Sequence, residues 1–254
     1  SSCLARCLIC LHASLPPVSP YHIMPGGTQE AVQRLTPEDL RAYHARYFTP
    51  GNMVVTVFGD IDPDQALEIV TRHFGQLPAG PAPKIDFRRP NALEQDIIRH
   101  KQTAKQTGMV LLAYPGPSLF DEKEYAAMTV LDAILSGYSY PGGWLHEDLR
   151  GAGLVYMVHA FLMSGPAPGY FVVVAQTAPD KIPEVLSRIR AHLDRARRGD
   201  IPEDEFQRAV EMILALHAQE NTTPAEQAQQ AAVYELLGLG YDYEQKFDER
   251  IRSV

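Results

Sequence analysis

Three cysteines near the start of the chain have a spacing that could do chemistry. Cys3, Cys7 and Cys10 match the Cys-xxx-Cys-xx-Cys pattern that holds an iron–sulfur cluster in radical enzymes. Such a cluster needs a following barrel of many βα units to hold its cofactor, and the rest of the sequence offers none. We therefore interpret residues 1–19 as a disordered leader outside the folded part, a remnant or a mis-started N-terminus, and leave the role of the cysteines open.

A histidine and a glutamate further along are spaced as two zinc ligands on a helix could be. His217 and Glu220 are three positions apart, but Asn221 follows where a second histidine would be needed. Catalytic zinc normally has three protein ligands, so this pair would hold the metal poorly. The other histidines show no ligand spacing. We predict no metal ligand and no catalytic residue in this chain, and we interpret His217 as part of a solvated helix end.

The composition excludes several function classes. The 254 residues are 45% hydrophobic and 21% charged, which is enough apolar material for the cores of one large or two medium domains. The formal net charge of −8 argues against a nucleic-acid partner, because phosphate binding needs clustered Lys and Arg. No apolar run reaches the roughly 18 residues that a membrane span requires. We expect a soluble protein of the bacterial cytoplasm or periplasm, with no nucleic-acid partner and no membrane span.

The first part of the chain reads as a helix, a strand and a second helix. Thr36-Pro37-Glu38-Asp39 is a helix start, with a capping threonine, proline at the first helical position and acids at the positive end of the helix dipole. Pro50-Gly51-Asn52 ends that helix. The apolar run Met53–Phe58 then predicts a strand buried on both faces, and 64–74 predicts an amphipathic helix.

A proline-rich stretch at 81–99 predicts a linker between two units, the first at 20–80 and the second at 100–254. Beyond it, apolar runs predict strands at 108–114 and 171–175, and helical periodicity predicts helices at 122–135, 181–197, 202–217 and 224–237. This order predicts an α+β fold of two related α/β sandwich units, each a mixed sheet with helices on one face. The first unit is expected to be incomplete, and the second to lack its last elements.

Two ordered matches extend along most of the chain. The first match consists of Thr36-Pro37-Glu38-Asp39-Leu40, Tyr47-Phe48-Thr49-Pro50-Gly51-Asn52-Met53-Val54-Val55, Gly59-Asp60-Ile61-Asp62-Pro63 and Phe74-Gly75-Gln76-Leu77-Pro78. The second match is Gly142-Gly143-Trp144-Leu145-His146-Glu147-Asp148-Leu149-Arg150-Gly151-Ala152-Gly153-Leu154-Val155-Tyr156. The sequence resembles the pitrilysin/insulinase (inverzincin) family of metallopeptidases from Pro20 onward. The resemblance implies a truncated member, containing the end of the family's first domain and most of its second.

The same resemblance implies which chemistry is missing and which remains. Complete family members bind zinc through a His-x-x-Glu-His helix and a later Glu, and neither element is found in this chain, so we expect no cofactor here. In the family's second domain, an Arg and a Tyr reach the bound peptide, and they correspond to Arg150 and Tyr156. A guanidinium can hold a peptide carbonyl or carboxylate, and a phenol can donate to an oxyanion. From the residues alone, Arg150 could instead end a helix and Tyr156 could pack in a strand.

Trp144 departs from the family pattern, because many members carry Arg or Ser at this position, beside the glycines. The tryptophan could narrow a pocket or anchor a substrate.

Three functions stay open: the peptide-binding part of a zinc peptidase that acts on peptides, a non-catalytic partner subunit of a two-subunit peptidase, and an inactive structural relic. The first requires a missing N-terminal half, and the second requires a zinc-bearing homologous subunit.

Overall fold

The structure, a computed structural model, describes residues 3–17, 19–78, 80, 95–102, 104–220 and 222–254. These residues divide into two units by their contacts. Unit 1 contains the described residues of Ser1–Met24, Phe87–Leu216 and Asp248–Val254, and unit 2 contains those of Pro25–Asp86 and His217–Phe247. The domain boundaries predicted from the sequence stay predictions, and residues 81–94 of the predicted linker lie outside the described part.

The helices and strands combine into an α+β protein, as the sequence predicts. The described strands are β1 (Gly108–Pro115), β2 (Val155–Met163) and β3 (Tyr170–Thr177). The described α-helices are α1 (Cys3–His12), α2 (Gln29–Arg34), α3 (Pro37–Tyr47), α4 (Pro63–Phe74), α5 (Glu122–Ser136), α6 (Gly143–Leu145), α7 (Ile182–Arg197), α8 (Glu203–His217), α9 (Pro224–Leu236) and α10 (Phe247–Arg252).

The sheet of unit 1 has the strand order β1-β3-β2, and both pairings are antiparallel. The described sheet therefore differs from the mixed sheet that we expected. β3 is central: Val173 lies opposite Leu112 on one side and Ala160 on the other. Its side chains are almost all buried, which explains the unbroken apolar run of its sequence.

Helices cover both faces of this sheet. Leu8 and Leu11 of α1 pack against Val172 and Val174, which share one face of β3. Phe171 points to the opposite face, where it meets side chains of α5 and α7. Part of the segment that we expected to be a disordered leader, Cys3–His12, is thus the helix α1, because its side chains Leu8 and Leu11 cover a sheet face that would otherwise be exposed.

Unit 2 is mostly helical in its described part. Thr36 caps α3 through a reciprocal pair of hydrogen bonds with Asp39, as its sequence predicts. The run Met53–Phe58 is extended but is not a strand in the described structure, so that prediction is wrong. A strand needs a neighbour to complete its hydrogen bonds. In the described structure, Thr56 Oγ1 of this run donates to the Ala228 carbonyl at 2.8 Å, and the Met53 N–H donates to the Pro50 carbonyl at 3.3 Å.

Within the described ranges, no helix combines the length and the apolar character that crossing a bilayer requires.

Candidate peptide-handling site

The predicted site lies on a short segment of unit 1 between α5 and β2. This segment, residues 143–154, consists of α6, a π-helical stretch His146–Arg150 and a glycine-containing turn that leads into β2. Gly143 has φ +71°, and a Cβ there would lie 2.5 Å from the Ile134 carbonyl oxygen. Glycine is therefore needed for the close approach to α5. Leu145 and Leu149 are fully buried and fix the segment in the core.

Arg150 and Tyr156 are the two predicted substrate-binding residues, and both side chains are exposed. Arg150 ends the π-helical stretch, and Tyr156, with an exposed fraction of 63%, is the second residue of β2. Within the part of the chain that the structure describes, neither side chain has a hydrogen bond or an ion pair. Their donors are therefore available to a ligand, and their role in peptide binding stays a prediction.

Asp148 ties the segment to α7. Its two carboxylate oxygens lie 2.6 Å from Arg188 Nη1 and 2.9 Å from His192 Nε2. Burial raises the pKa of Asp148, but the hydrogen bonds from His192 and Arg188 outweigh it and hold the pKa below its usual value. The carboxylate is thus charged at neutral pH, and it fixes the helical stretch two residues before Arg150.

Trp144 is a second tie between the segment and the neighbouring helices. Its ring is buried, with the Arg195 guanidinium 3.8 Å above the ring centre. Its indole N–H donates to Glu205, and Arg195 Nη2 lies 3.6 Å from the same carboxylate. Trp144 therefore packs inside unit 1 and is not presented to a ligand.

His146 is a residue of this segment that sequence reasoning missed. Burial lowers its pKa, as do the nearby charges of His159 and Arg150, while a hydrogen bond with the Val158 backbone opposes the change. The imidazole is thus neutral at neutral pH. Its Nε2 is buried and has no hydrogen-bond partner in the described ranges. The sequence spacing of His146 and His159 could not indicate that they interact, because the two residues come close only when the segment packs against β2.

Metal-binding groups are not assembled in the described residues. No three side chains among His, Cys, Asp and Glu come together there as a metal site would require. His217 Nε2 lies 2.8 Å from Glu244 Oε1, and its ring stacks on Phe247 with the ring centres 3.9 Å apart. The histidine that we considered as a ligand is therefore a half-buried, packed residue of unit 2 rather than a solvated helix end.

A cavity of about 330 Å³ elsewhere in unit 1 does not include the predicted residues. Side chains of β1, α5, β3 and α7 line it, and the lining residues of α7 include the charged Arg190, Asp194 and Arg197. Neither Arg150 nor Tyr156 contributes to it. The arrangement around Arg150 is an open surface, which suits an extended chain better than a small enclosed ligand.

Comparisons with known proteins define the class to which this fold and segment belong. The family model of the peptidase M16 inactive domain matches residues 34–213, which include the whole candidate segment. The chain belongs to this family of M16 peptidase inactive domains. The resemblance to the zinc metallopeptidases inferred from the sequence is confirmed.

Curated relatives are named as zinc proteases. An uncharacterized zinc protease of Streptomyces coelicolor is 27% identical over 72% of this chain and 41% of its own length. The zinc protease PqqE of Helicobacter pylori is 26% identical over 74% of this chain and 43% of its own length. The chain thus spans less than half the length of the curated relatives that it matches.

Solved structures share the fold. The M16 inactive domain from Pseudomonas fluorescens superposes with a TM-score of 0.82 at 23% identity, covering 97% of this chain and 58% of that one. A protease from Helicobacter pylori superposes with a TM-score of 0.77 at 21% identity, covering 92% and 57%. These likenesses establish the architecture, and the activity of the complete protein has to be argued separately.

Proposed function

We propose that this chain is the peptide-binding part of an M16 zinc peptidase, in which Arg150 and Tyr156 hold an extended peptide while another part carries the zinc. The observation that carries the proposal is that the backbone of the segment is held in place while the side chains of Arg150 and Tyr156 are available to a ligand. Asp148 and Trp144 fasten the segment to α7 and α8, whereas Arg150 and Tyr156 are exposed and unpaired within the described ranges. Catalytic and binding groups work best when a rigid scaffold orients them.

The chemistry of the two side chains fits a peptide. The Arg150 guanidinium can donate to a backbone carbonyl or a carboxylate, and the Tyr156 hydroxyl can donate to an oxygen that becomes negative during hydrolysis. These groups can bind and polarise, but they supply no metal-bound water.

The source of the zinc is either the N-terminal half that the longer relatives contain or a homologous zinc-bearing subunit. Exposed apolar side chains of unit 2 favour a covering partner: Val55, Val57 and Phe58 on the extended run, and Leu40, Tyr43 and Leu67 on its helices. Extensive exposed apolar surface marks an interaction site. An upstream reading frame with His-x-x-Glu-His would indicate the first source, and a separate neighbouring gene with that motif the second.

The test is direct binding of fluorescently labelled extended peptides to the purified chain, followed by polarisation. Arg150→Ala should weaken binding about 10–100-fold, since a charge-assisted hydrogen bond contributes about 1.5–3 kcal/mol. Arg198→Ala removes an equally exposed arginine at the end of α7 and should leave binding unchanged. Equal affinities for the wild type and both variants would show that Arg150 does not contact the peptide, and would favour the structural relic.

A further inference from the structure

A carboxyl group is buried in unit 1, and among the residues that the structure describes it has no positively charged partner. Asp132, on α5, has an exposed fraction of 6%, and Ser136, one helical turn later, is fully buried. Ionised carboxylates are rarely buried unless they are paired, because removing the charge from water costs several kcal/mol. Within the described ranges, the Asp132 side chain is hydrogen-bonded to the neutral hydroxyl of Ser136.

The hydrogen-bond distances around Ser136 favour a protonated Asp132. Ser136 Oγ lies 2.7 Å from Asp132 Oδ1 and 3.1 Å from the Ala160 carbonyl oxygen on β2. A serine hydroxyl carries one hydrogen, so it can make one well-aligned hydrogen bond or divide that hydrogen between two weaker ones. Both contacts are full hydrogen bonds at once when Asp132 carries a proton. It then donates to Ser136 Oγ, and Ser136 donates to Ala160.

The electrostatics of the site agree with this count. Burial raises the pKa of Asp132 to about 7, and the Ser136 hydrogen bond opposes it only in part. When Asp132 is ionised, the Ser136 hydroxyl can donate fully to the carboxylate only if it gives up its hydrogen bond to the Ala160 carbonyl. Burial and the Ser136 hydrogen bond account for the pKa change of Asp132, and the charged and titratable groups on the elements around α5 do not contribute to it. These groups are Tyr156 and His159 on β2, His146, Glu147, Asp148 and Arg150 on the segment, Tyr114 on β1, and Arg190, Asp194 and Arg197 on α7.

We propose that Asp132 is a proton-binding site that fastens α5 to β2: below neutral pH the protonated carboxyl donates to Ser136, which donates to Ala160, and loss of the proton as the pH rises through neutrality breaks this chain. The last turn of α5 also packs against Gly143, since the backbones of Leu135 and Ser136 lie within 3 Å of a Cβ built at that glycine. The proton therefore acts where α5 supports the segment that carries Arg150. The proposal does not depend on peptide binding.

The first test follows the Asp132 carboxyl carbon by ¹³C NMR across a pH series of the full chain, with Asp132→Asn used to assign the signal. The expected midpoint is about 7. A midpoint near the ordinary value of 3.8 would overturn the proposal, whatever the variants do.

The second test compares unfolding of the wild type and Asp132→Asn between about pH 4 and pH 8. A raised folded-state pKa means that the stabilisation by the proton is complete below about pH 4 and is lost as the pH rises through about 7. The Asn amide also donates to Ser136 but does not titrate. Over this range, the unfolding equilibrium constant of the wild type should increase relative to that of Asp132→Asn by up to about 1000-fold.

The control is Asp180→Asn, which changes an exposed carboxyl of the same unit. Its pH profile should run parallel to that of the wild type. If the Asp132→Asn profile also ran parallel to that of the wild type, Asp132 would be ionised throughout and the proton-binding site would not exist.

Discussion

The two units use similar apolar sequences in opposite ways. In unit 1, the run in β3 lies between two strands and between helices on both faces, and Val172, Val173 and Ala175 are fully buried. In unit 2, the comparable run Met53–Phe58 has no strand beside it in the described structure, and Val55, Val57 and Phe58 remain exposed. An apolar run therefore indicates a segment that other elements have to cover. Whether it forms a strand depends on whether an adjacent strand is present.

The largest expected effect contrasts two leucines on helices of the two units. Leu135 of α5 is fully buried, whereas Leu67 of α4 has an exposed fraction of 64%. Leu135→Ala should lower the free energy of unfolding by about 2–5 kcal/mol, because it removes packed methyl groups and leaves a cavity. Leu67→Ala should change it by less than about 0.5 kcal/mol.

Urea denaturation followed by circular dichroism measures both variants. Fluorescence of Trp144, the single tryptophan, reports on unit 1. Similar losses for the two substitutions would mean that Leu67 is covered in solution and that the contrast between the units is wrong.

A smaller effect is expected at the tie between the candidate segment and α7. Asp148→Asn should cost about 0.5–2 kcal/mol near neutral pH, since it weakens two charge-assisted hydrogen bonds that are partly accessible to solvent. The folded-state pKa of Asp148 is lowered, so this stabilisation is present above the unfolded-state pKa and is lost as the pH falls through the folded-state value.

Thermal unfolding at neutral pH and at about pH 3 checks this acid dependence. The difference between the wild type and Asp148→Asn should shrink on acidification. A difference that stayed constant with pH would show that the carboxylate charge does not hold the segment.

The smallest effect on stability is expected in the exposed run of unit 2. Val57→Thr keeps the side-chain shape and should change the free energy of unfolding by less than about 0.5 kcal/mol. If a zinc-bearing partner covers this surface, the same change should weaken association about 5-fold, through the buried apolar area that is lost. Titration calorimetry with that partner measures it, with Val254→Thr in unit 1 as the exposed control.

Local signals predicted much of the fold, because they act within a few residues. The capping pattern at Thr36 and the apolar runs of β1 and β3 appear within a few residues of the expected places. The helix α1 and the exposed run at 53–58 could not be predicted, because both depend on which surface lies beside them. In the candidate segment, the motif indicated Arg150 and Tyr156, but the contacts of Asp148 with α7 and the burial of Asp132 arise only from tertiary packing.

The central claim is that Arg150 handles the peptide and that zinc comes from elsewhere. The most direct measurement is hydrolysis of a quenched extended peptide by this chain, alone and co-expressed with its zinc-bearing M16 half or subunit. The chain alone should bind no stoichiometric zinc and cleave nothing. In the assembled enzyme, Arg150→Ala should lower turnover about 10–1000-fold with unchanged stability, while Arg198→Ala should match the wild type. Full turnover in Arg150→Ala, or peptide cleavage by the isolated chain with one bound zinc, would contradict the account.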